Sequence, residues 1–412
     1  MHLIRAYPNA NVKLFDREPY PCQLGASWDW NKIIRAEYTD LFYMKLALEA
    51  KKWWKEDPLW KPFYHQPGGV WIQDSDLANE IRENYSKLGM DADVKTYSVE
   101  EAKSLYGGMF KHAEFEGINR VLVSSTAGWA EAGKALAATI DQAVKEGVRY
   151  VQGNVRSLAF DEASCTCVGV KTAAEETIKA SKVILCTGAG TARLLADSAP
   201  KWTELHAGKR WVASGMCTAL MMPEPKACAR FKDVPITLHE RVNYEGRGGF
   251  IPPTPDGNFK WWADITFSNY TMHEASGEEI SMPPSGPYQG QWDVPKAFHR
   301  EMYRAKEVIF GSTEDDFTFD KFRLCWDAQS PSDDWFLTPH PASTGLYLAT
   351  IGSWHSYKFL PTVGKYVVQM LEGKLDEEQQ KRWAWDRELQ DTSDNQYWPK
   401  RDWKDIVKAT KL

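Results

Sequence analysis

The opening stretch "MHLIRAYPNANVKLFDREPYP" (Met1–Pro21) decides the fold. Leu3, Ile4 and Tyr7 share one side of a helix that Pro8 and Asn9 stop, and Val12 to Phe15 then read as a short apolar strand ending at Asp16. A helix, a tight turn and a strand closed by an acid form the second half of a nucleotide-binding βαβ unit, in which the acid takes the ribose hydroxyls. The first strand and glycine loop of such a unit are not in the sequence ahead of this helix.

Outward from that unit the chain stays α/β in character. "YTDLFYMKLALEAKKWWKE" (Tyr38–Glu56) reads as a long helix, with Thr39 or Asp40 as cap, Leu46 and Trp53 on one face and Asp57-Pro58 at its end. "WAEAGKALAATIDQAVKEG" repeats the pattern, with Leu136, Ile140, Ala143 and Val144 expected inward and Gly147 at the stop. "VRYVQGNVRSLAF" follows as a strand pair or bent strand, and "KASKVILCTGAGTARLLAD" as a buried strand, a glycine turn and a helix. Gly188 and Gly190 begin a dinucleotide-like pattern, but Arg193 stands where the third glycine belongs, so the turn alone is weak support for a phosphate site.

From about Lys209 to Asp320 the segments are short, aromatic and broken by proline and glycine, which predicts antiparallel sheet. Pro255-Asp256-Gly257 reads as its clearest hairpin turn. The α/β pattern returns in "GLYLATIGSWHSYKFLPTVGKYVVQMLEGKL", with a strand from Leu346 to Ile351 and a helix from about Pro361 to Leu371.

Composition narrows the partners. The 412 residues predict two or three domains, and 43% hydrophobic with 26% charged residues is ordinary for a globular chain. A net charge of -6 offers no basic face for nucleic acid or an anionic membrane, and no apolar run has the length of a membrane span. Seven cysteines without metal-ligand spacing lead us to expect reduced thiols and no metal site; Cys165 and Cys167, two apart, read as structural. The terminal Thr410-Lys411-Leu412 is either a variant of the Ser-Lys-Leu peroxisomal address or an ordinary lysine-rich tail of a cytoplasmic protein.

Taken in order, "VKLFDRE", "ASWDWNKIIRAEY", "DPLWKPFYH", "AGWAEAGKAL", "VILCTGAGTARLL", "GNFKWW", "FRLCW" and "GSWHSYKFLPTVGKYVVQMLEGKL" resemble the flavin-dependent amine oxidases of the D-amino-acid oxidase superfamily. The branch resembled holds monomeric sarcosine oxidase, saccharopine and pipecolate oxidases and the fructosyl amino acid oxidases (amadoriases). The resemblance implies a Rossmann-like FAD-binding domain from residues 1–66, 120–205 and 322–375. A mainly antiparallel substrate domain from 67–119 and 206–321 interrupts it, and 376–412 form a C-terminal tail. It also places Met1 inside the first helix of the cofactor unit, so a shortened product with weakened flavin binding is expected.

The same resemblance assigns residues. Asp16 would meet the adenosine ribose, the Val155 backbone the adenine, and Gly188 and Gly352 the cofactor. Ser27, Asn31 and Lys32 would pass over the flavin ring, with Lys32 near its reactive nitrogen and Lys358 beside it. Cys325 in "FRLCW" would carry the flavin's methyl group through a thioether; by itself it reads as a buried strand cysteine. Lys260 must either reach solvent or serve a site, and by resemblance it stabilises the charge formed as oxygen is reduced. Arg35 and Lys358 would hold the substrate carboxylate, although Arg35 reads equally as a surface ion pair. Asp264 corresponds loosely to an acid that holds polar substrates in amadoriases, and His355 either covers the flavin or is structural.

The implied reaction is oxidation of the C–N bond of a secondary-amine amino acid to an imine, with molecular oxygen reduced to peroxide by a monomeric enzyme. An amadoriase is the alternative substrate reading. A catalytically silent relative that acts by binding is the alternative of another class.

Overall fold

The structure, a computed structural model, describes residues 1–73, 75–161, 163–222, 229–241, 245–284, 291–311, 318–392 and 395–409. An eight-stranded sheet organises it. The strand order is Lys321–Gln329, Val212–Met221, Phe259–Ala263, Gly248–Ile251, Ile236–His239, Gly69–Ile72, Arg120–Ser124 and Val94–Ser98. Neighbours are antiparallel except Ile236–His239, which runs parallel to Gly69–Ile72.

The period-two alternation of side chains gives this sheet two unlike faces. On one, Leu324, Cys217, Ala219, Phe259, Trp261, Phe250, Val70 and Ile72 build a dry core with the helix Lys296–Phe310. On the other, the registers Met216↔Cys325, Thr218↔Arg323, Thr218↔Trp262, Gly249↔Trp262 and Ile251↔Lys260 set Arg323, Cys325, Lys260 and Trp262 side by side. This second face carries the site.

The helix Lys296–Phe310 lies in a region read from sequence as strands alone. Its buried Phe298, Met302, Ala305 and Ile309 recur at helical spacing, a period that the surrounding prolines and aromatics obscured. The hairpin turn is where expected: Gly257, at φ 84°, donates its N–H to the Thr254 carbonyl at 2.8 Å between two paired strands.

The remaining strands form small sheets. Lys13–Asp16 pairs in parallel with Arg149–Gln152, and Val155–Asp161 joins Thr166–Thr172 and Thr177–Lys179 in an antiparallel ladder. Val183–Leu185 runs parallel to Leu346–Thr350, which is antiparallel to Phe336–Pro339. The helix Leu41–Glu56 begins where Asp40 accepts the Phe42 N–H at 2.8 Å. It buries Leu46 and Trp54, whereas Trp53 is 39% exposed, because the core stripe is centred on Tyr43, Ala47, Ala50 and Trp54 and leaves Trp53 at its edge. On Ala132–Lys145 the buried side chains are Ala132 and Ala135; Val144, expected inward, is exposed in the last turn, beyond the packed first half of the helix.

Residues 376–392 and 395–409 reach two separate cores. Trp383 stacks on Trp335, ring centroids 5.0 Å apart, in the core around Leu41–Glu56. Further on, the Ser268 N–H bonds the Arg401 carbonyl at 2.9 Å, and Trp403 and Ile406 join the core behind the large sheet. No helix among the described residues is long and apolar enough to cross a membrane.

Candidate active site

Three cations surround one buried carboxylate at the centre of the site face. Lys260 donates to Asp29 Oδ2 at 2.5 Å and to the Asn31 carbonyl at 3.1 Å. Lys32 Nζ lies 3.3 Å and Arg323 Nη1 3.8 Å from the same carboxylate oxygen. The geometry follows from sequence spacing: Asp29, Asn31 and Lys32 share one short segment, and Arg323 precedes Cys325 by two on the same face. Burial by itself would raise the Asp29 carboxyl, but Lys260, Lys32 and Arg323 together hold it well below the usual carboxylate range. Burial, only partly opposed by Asp29 and reinforced by Lys32, brings the Lys260 ammonium down to about 8.

A second cationic group stands beside the first. The Arg35 guanidinium lies 4.9 Å from the Tyr38 ring centroid and 6.0 Å from that of Trp71, and it forms no hydrogen bond or ion pair with any described residue. Lys358, 5% exposed, donates to the Tyr38 hydroxyl at 2.8 Å and to the His355 carbonyl at 2.6 Å. Burial and the charge of Arg35 push its ammonium well below the ordinary lysine value. His355 Nε2 is 3.0 Å from the Asp333 carbonyl, so it donates there, and Nδ1 accepts the Tyr38 hydroxyl at 3.0 Å. Burial, with the charge of Lys358 adding, lowers His355 to about 3, so the ring stays neutral and orients Tyr38 under Lys358.

The loop between strand Leu346–Thr350 and the Lys358 turn is tightly constrained. Ser353 and Trp354 both adopt left-handed backbone, at φ 59° and 60°, a conformation that costs non-glycine residues about 1–3 kcal/mol each and concentrates at functional sites. A side chain at Gly352 would overlap the Ala328 carbonyl and the Asp327 carboxylate. Asp327 in turn accepts the Trp354 N–H at 2.9 Å, which ties the loop to the Cys325 strand.

The other candidate residues divide by position. Cys325 is buried opposite Met216. Asn31 is fully buried; its Nδ2 donates to the Pro252 carbonyl at 3.2 Å and its Oδ1 has no hydrogen-bond partner among the described residues. Asp16 ends its strand with Oδ1 accepting the Arg17 N–H at 2.7 Å, and the Gly153 N–H bonds its carbonyl, two residues before Val155 opens the next strand. Gly188, at φ 49°, has open space where a side chain would be, and the turn it begins leads into the helix Thr191–Ser198. Ser27 is exposed, two residues before the buried Asp29. Asp264 lies on the site face beyond Trp262, whose indole donates to it at 2.9 Å.

The structure thus brings Lys32, Asn31 and Lys260 together around Asp29, and Arg35 with Lys358 beside Tyr38. Asp16, Val155 and Gly188 share no hydrogen bond with either group among the described residues, although the turn Gly188–Gly190 packs against the strand Lys321–Gln329 that carries Arg323 and Cys325. Sequence reading missed Asp29 and Arg323. Both had a signal: Asp29 sits three residues before Lys32, and Arg323 has the alternation that aligns it with Cys325.

The family description "FAD dependent oxidoreductase" (DAO) matches residues 1–370, and the chain belongs to that family. Among its relatives, the L-saccharopine oxidase of Schizosaccharomyces pombe is 26% identical over 394 residues, 91% of this chain and 87% of that one. A modified fructosyl peptide oxidase from Aspergillus nidulans superposes with a TM-score of 0.83 at 27% identity, covering 98% of this chain and 94% of that one. The fructosyl peptide oxidase from E. terrenum gives a TM-score of 0.82 at 26% identity, covering 98% and 92%.

The site suits the cofactor of that family. Asn31 Oδ1, Arg323 Nε and Nη1 and Trp354 Nε1 are buried polar atoms without a hydrogen-bond partner among the described residues, and Trp354 stands on the constrained loop that follows Gly352. Such orphaned groups are rare and costly, and a flat heterocycle with donors and acceptors on its rim satisfies them.

Proposed function

We propose that the chain oxidises the C–N bond of a secondary-amine amino acid to an imine, with oxygen reduced to hydrogen peroxide. One observation carries the reading: an unpaired Arg35 guanidinium beside the buried Lys358 ammonium is a carboxylate receptor awaiting its anion. It lies over Trp71, on the sheet face that also presents Lys260.

FAD, when bound, supplies the acceptor for the two electrons of the C–H bond next to nitrogen and passes them on to oxygen. The chain's own residues do the rest. Arg35 and Lys358 fix the carboxylate and so orient the adjacent C–H bond, and the surrounding tryptophans exclude water. Lys260 presents a cation where oxygen gains negative charge, and Asp29 holds that ammonium in position. Asn31, Lys32, Gly352 and Lys358 would hold the ring of the bound cofactor, and Cys325 would anchor it through a thioether. Asp16, Val155 and Gly188 would hold the adenosine and phosphate end.

Peroxide as a product gives Thr410-Lys411-Leu412 a purpose as a peroxisomal address; these three lie outside the described residues. The small-substrate chemistry needs no second subunit. The test is the purified chain loaded with FAD: a flavin absorbance band that saccharopine, pipecolate or sarcosine bleaches without oxygen, with peroxide formed on readmitting air. Bleaching by fructosyl amino acids alone supports the amadoriase reading. A chain that stays colourless with excess FAD supports the silent relative. Flavin fully released by acid precipitation removes the Cys325 anchor.

A further inference from the structure

At the far end of the site face, four residues beyond Lys260, Arg247 stands opposite Asp264: the Asp264 N–H bonds the Arg247 carbonyl at 2.9 Å, extending the pair Gly248↔Ala263. Directly opposed residues on a sheet face have side chains within mutual reach. Arg247 is 6% exposed, its guanidinium lies 5.4 Å from the Tyr397 ring centroid, and its Nε and Nη2 have no hydrogen-bond partner among the described residues. Asp264 Oδ1 takes the Trp262 indole N–H, but among the described residues Oδ2 has no partner either. Glu240 is engaged by the Tyr397 hydroxyl at 3.0 Å. Burial and the Glu240 charge push Asp264 up to about 7, so its negative charge only partly offsets Arg247 at neutral pH.

A buried arginine edge and a buried carboxylate oxygen, both unmet and side by side, are complementary to one chemical group. The Nε–Nη2 edge is the fork that takes a carboxylate by two parallel bonds, and the adjacent carboxylate accepts from an ammonium. We propose that Arg247 and Asp264 form a second recognition site for a zwitterionic α-amino acid group at the far end of the substrate. This rests on the amine-oxidase reading above and narrows its substrate class. Four strand residues span about 13 Å. The substrate is then an N-substituted amino acid whose other arm is several atoms long and ends in its own ammonium and carboxylate. A ring amine such as pipecolate fills only the first half.

The FAD-loaded chain is titrated calorimetrically without oxygen with saccharopine, which has such an arm, and with pipecolate, which does not. The expected result is at least 100-fold tighter binding of saccharopine, with that ratio falling to within tenfold in Arg247→Met. Acetylating the far α-amino group of saccharopine weakens binding to the natural chain and has little effect on Asp264→Asn. Equal dissociation constants in the natural chain, or a ratio that survives Arg247→Met, overturn the proposal. Should Arg247→Met fail to fold, Arg247→Lys decides: it keeps the charge and loses the fork, and the ratio must fall at least tenfold. Flavin bleaching, read in the same samples, judges the amine-oxidase reading separately, because binding is measured whether or not the ring is reduced.

Discussion

At Lys260 three positive charges share one negative partner, so its ammonium is held in place and is also easily discharged. The cation that oxygen requires is complete below about pH 8 and is lost as pH rises through that value. Stopped-flow reoxidation of the reduced enzyme is therefore expected to slow across that window. Lys260→Met is expected to cut reoxidation by about 100-fold or more, the scale of removing one charge-stabilising donor, while flavin reduction by substrate changes far less. Equal losses on both limbs reject the role. Lys260 and Cys325 were legible as residues of apolar strands, in "GNFKWW" and "FRLCW", and the structure places both on one sheet face. Asp29 was passed over, although it stands three residues before Lys32, because a lone acid in a loop looks solvated until the fold brings three cations around it.

Among the elements, the loop from Gly352 to Lys358 has the least freedom. Gly352→Ala forces its new methyl group into the Ala328 carbonyl and the Asp327 carboxylate, neither of which can yield without breaking the tie to Trp354. The variant is expected to lose about 1–3 kcal/mol in denaturant unfolding and most of its bound flavin, measured by the absorbance ratio of the purified protein. The strand Leu346–Thr350 before it and the helix Val363–Leu371 after it were both legible in the sequence. The register of the large sheet was not: the neighbour of Ile236–His239 is Gly69–Ile72, and no local pattern can identify a partner so far along the chain. The helix Lys296–Phe310 was missed for a different reason, since its apolar period is embedded in a stretch whose prolines favour short segments.

Across the whole molecule the described residues of the C-terminal region enter both cores, Trp383 the one around Trp335 and Trp403 with Ile406 the one behind the large sheet. That region's part in both cores was invisible in the sequence, because isolated tryptophans in a polar stretch do not reveal what they pack against. Trp383→Ala removes a fully buried ring and is expected to cost about 3–5 kcal/mol, and Trp403→Ala a similar amount. If the segment couples the two cores, each variant lowers one shared thermal transition in calorimetry. Two separated transitions show that the cores unfold independently.

The parallel contact between Gly69–Ile72 and Ile236–His239 also bears on how the molecule is made. Everything from residue 73 to residue 235 leaves the ribosome between these two partners, and through that interval the earlier strand offers a row of unsatisfied amides to any neighbour. Growing chains are at risk of sticking to one another then, before the finished protein's stability has any bearing. Slow, cool translation is therefore expected to raise the soluble yield, read as the soluble fraction of the expressed chain at two temperatures.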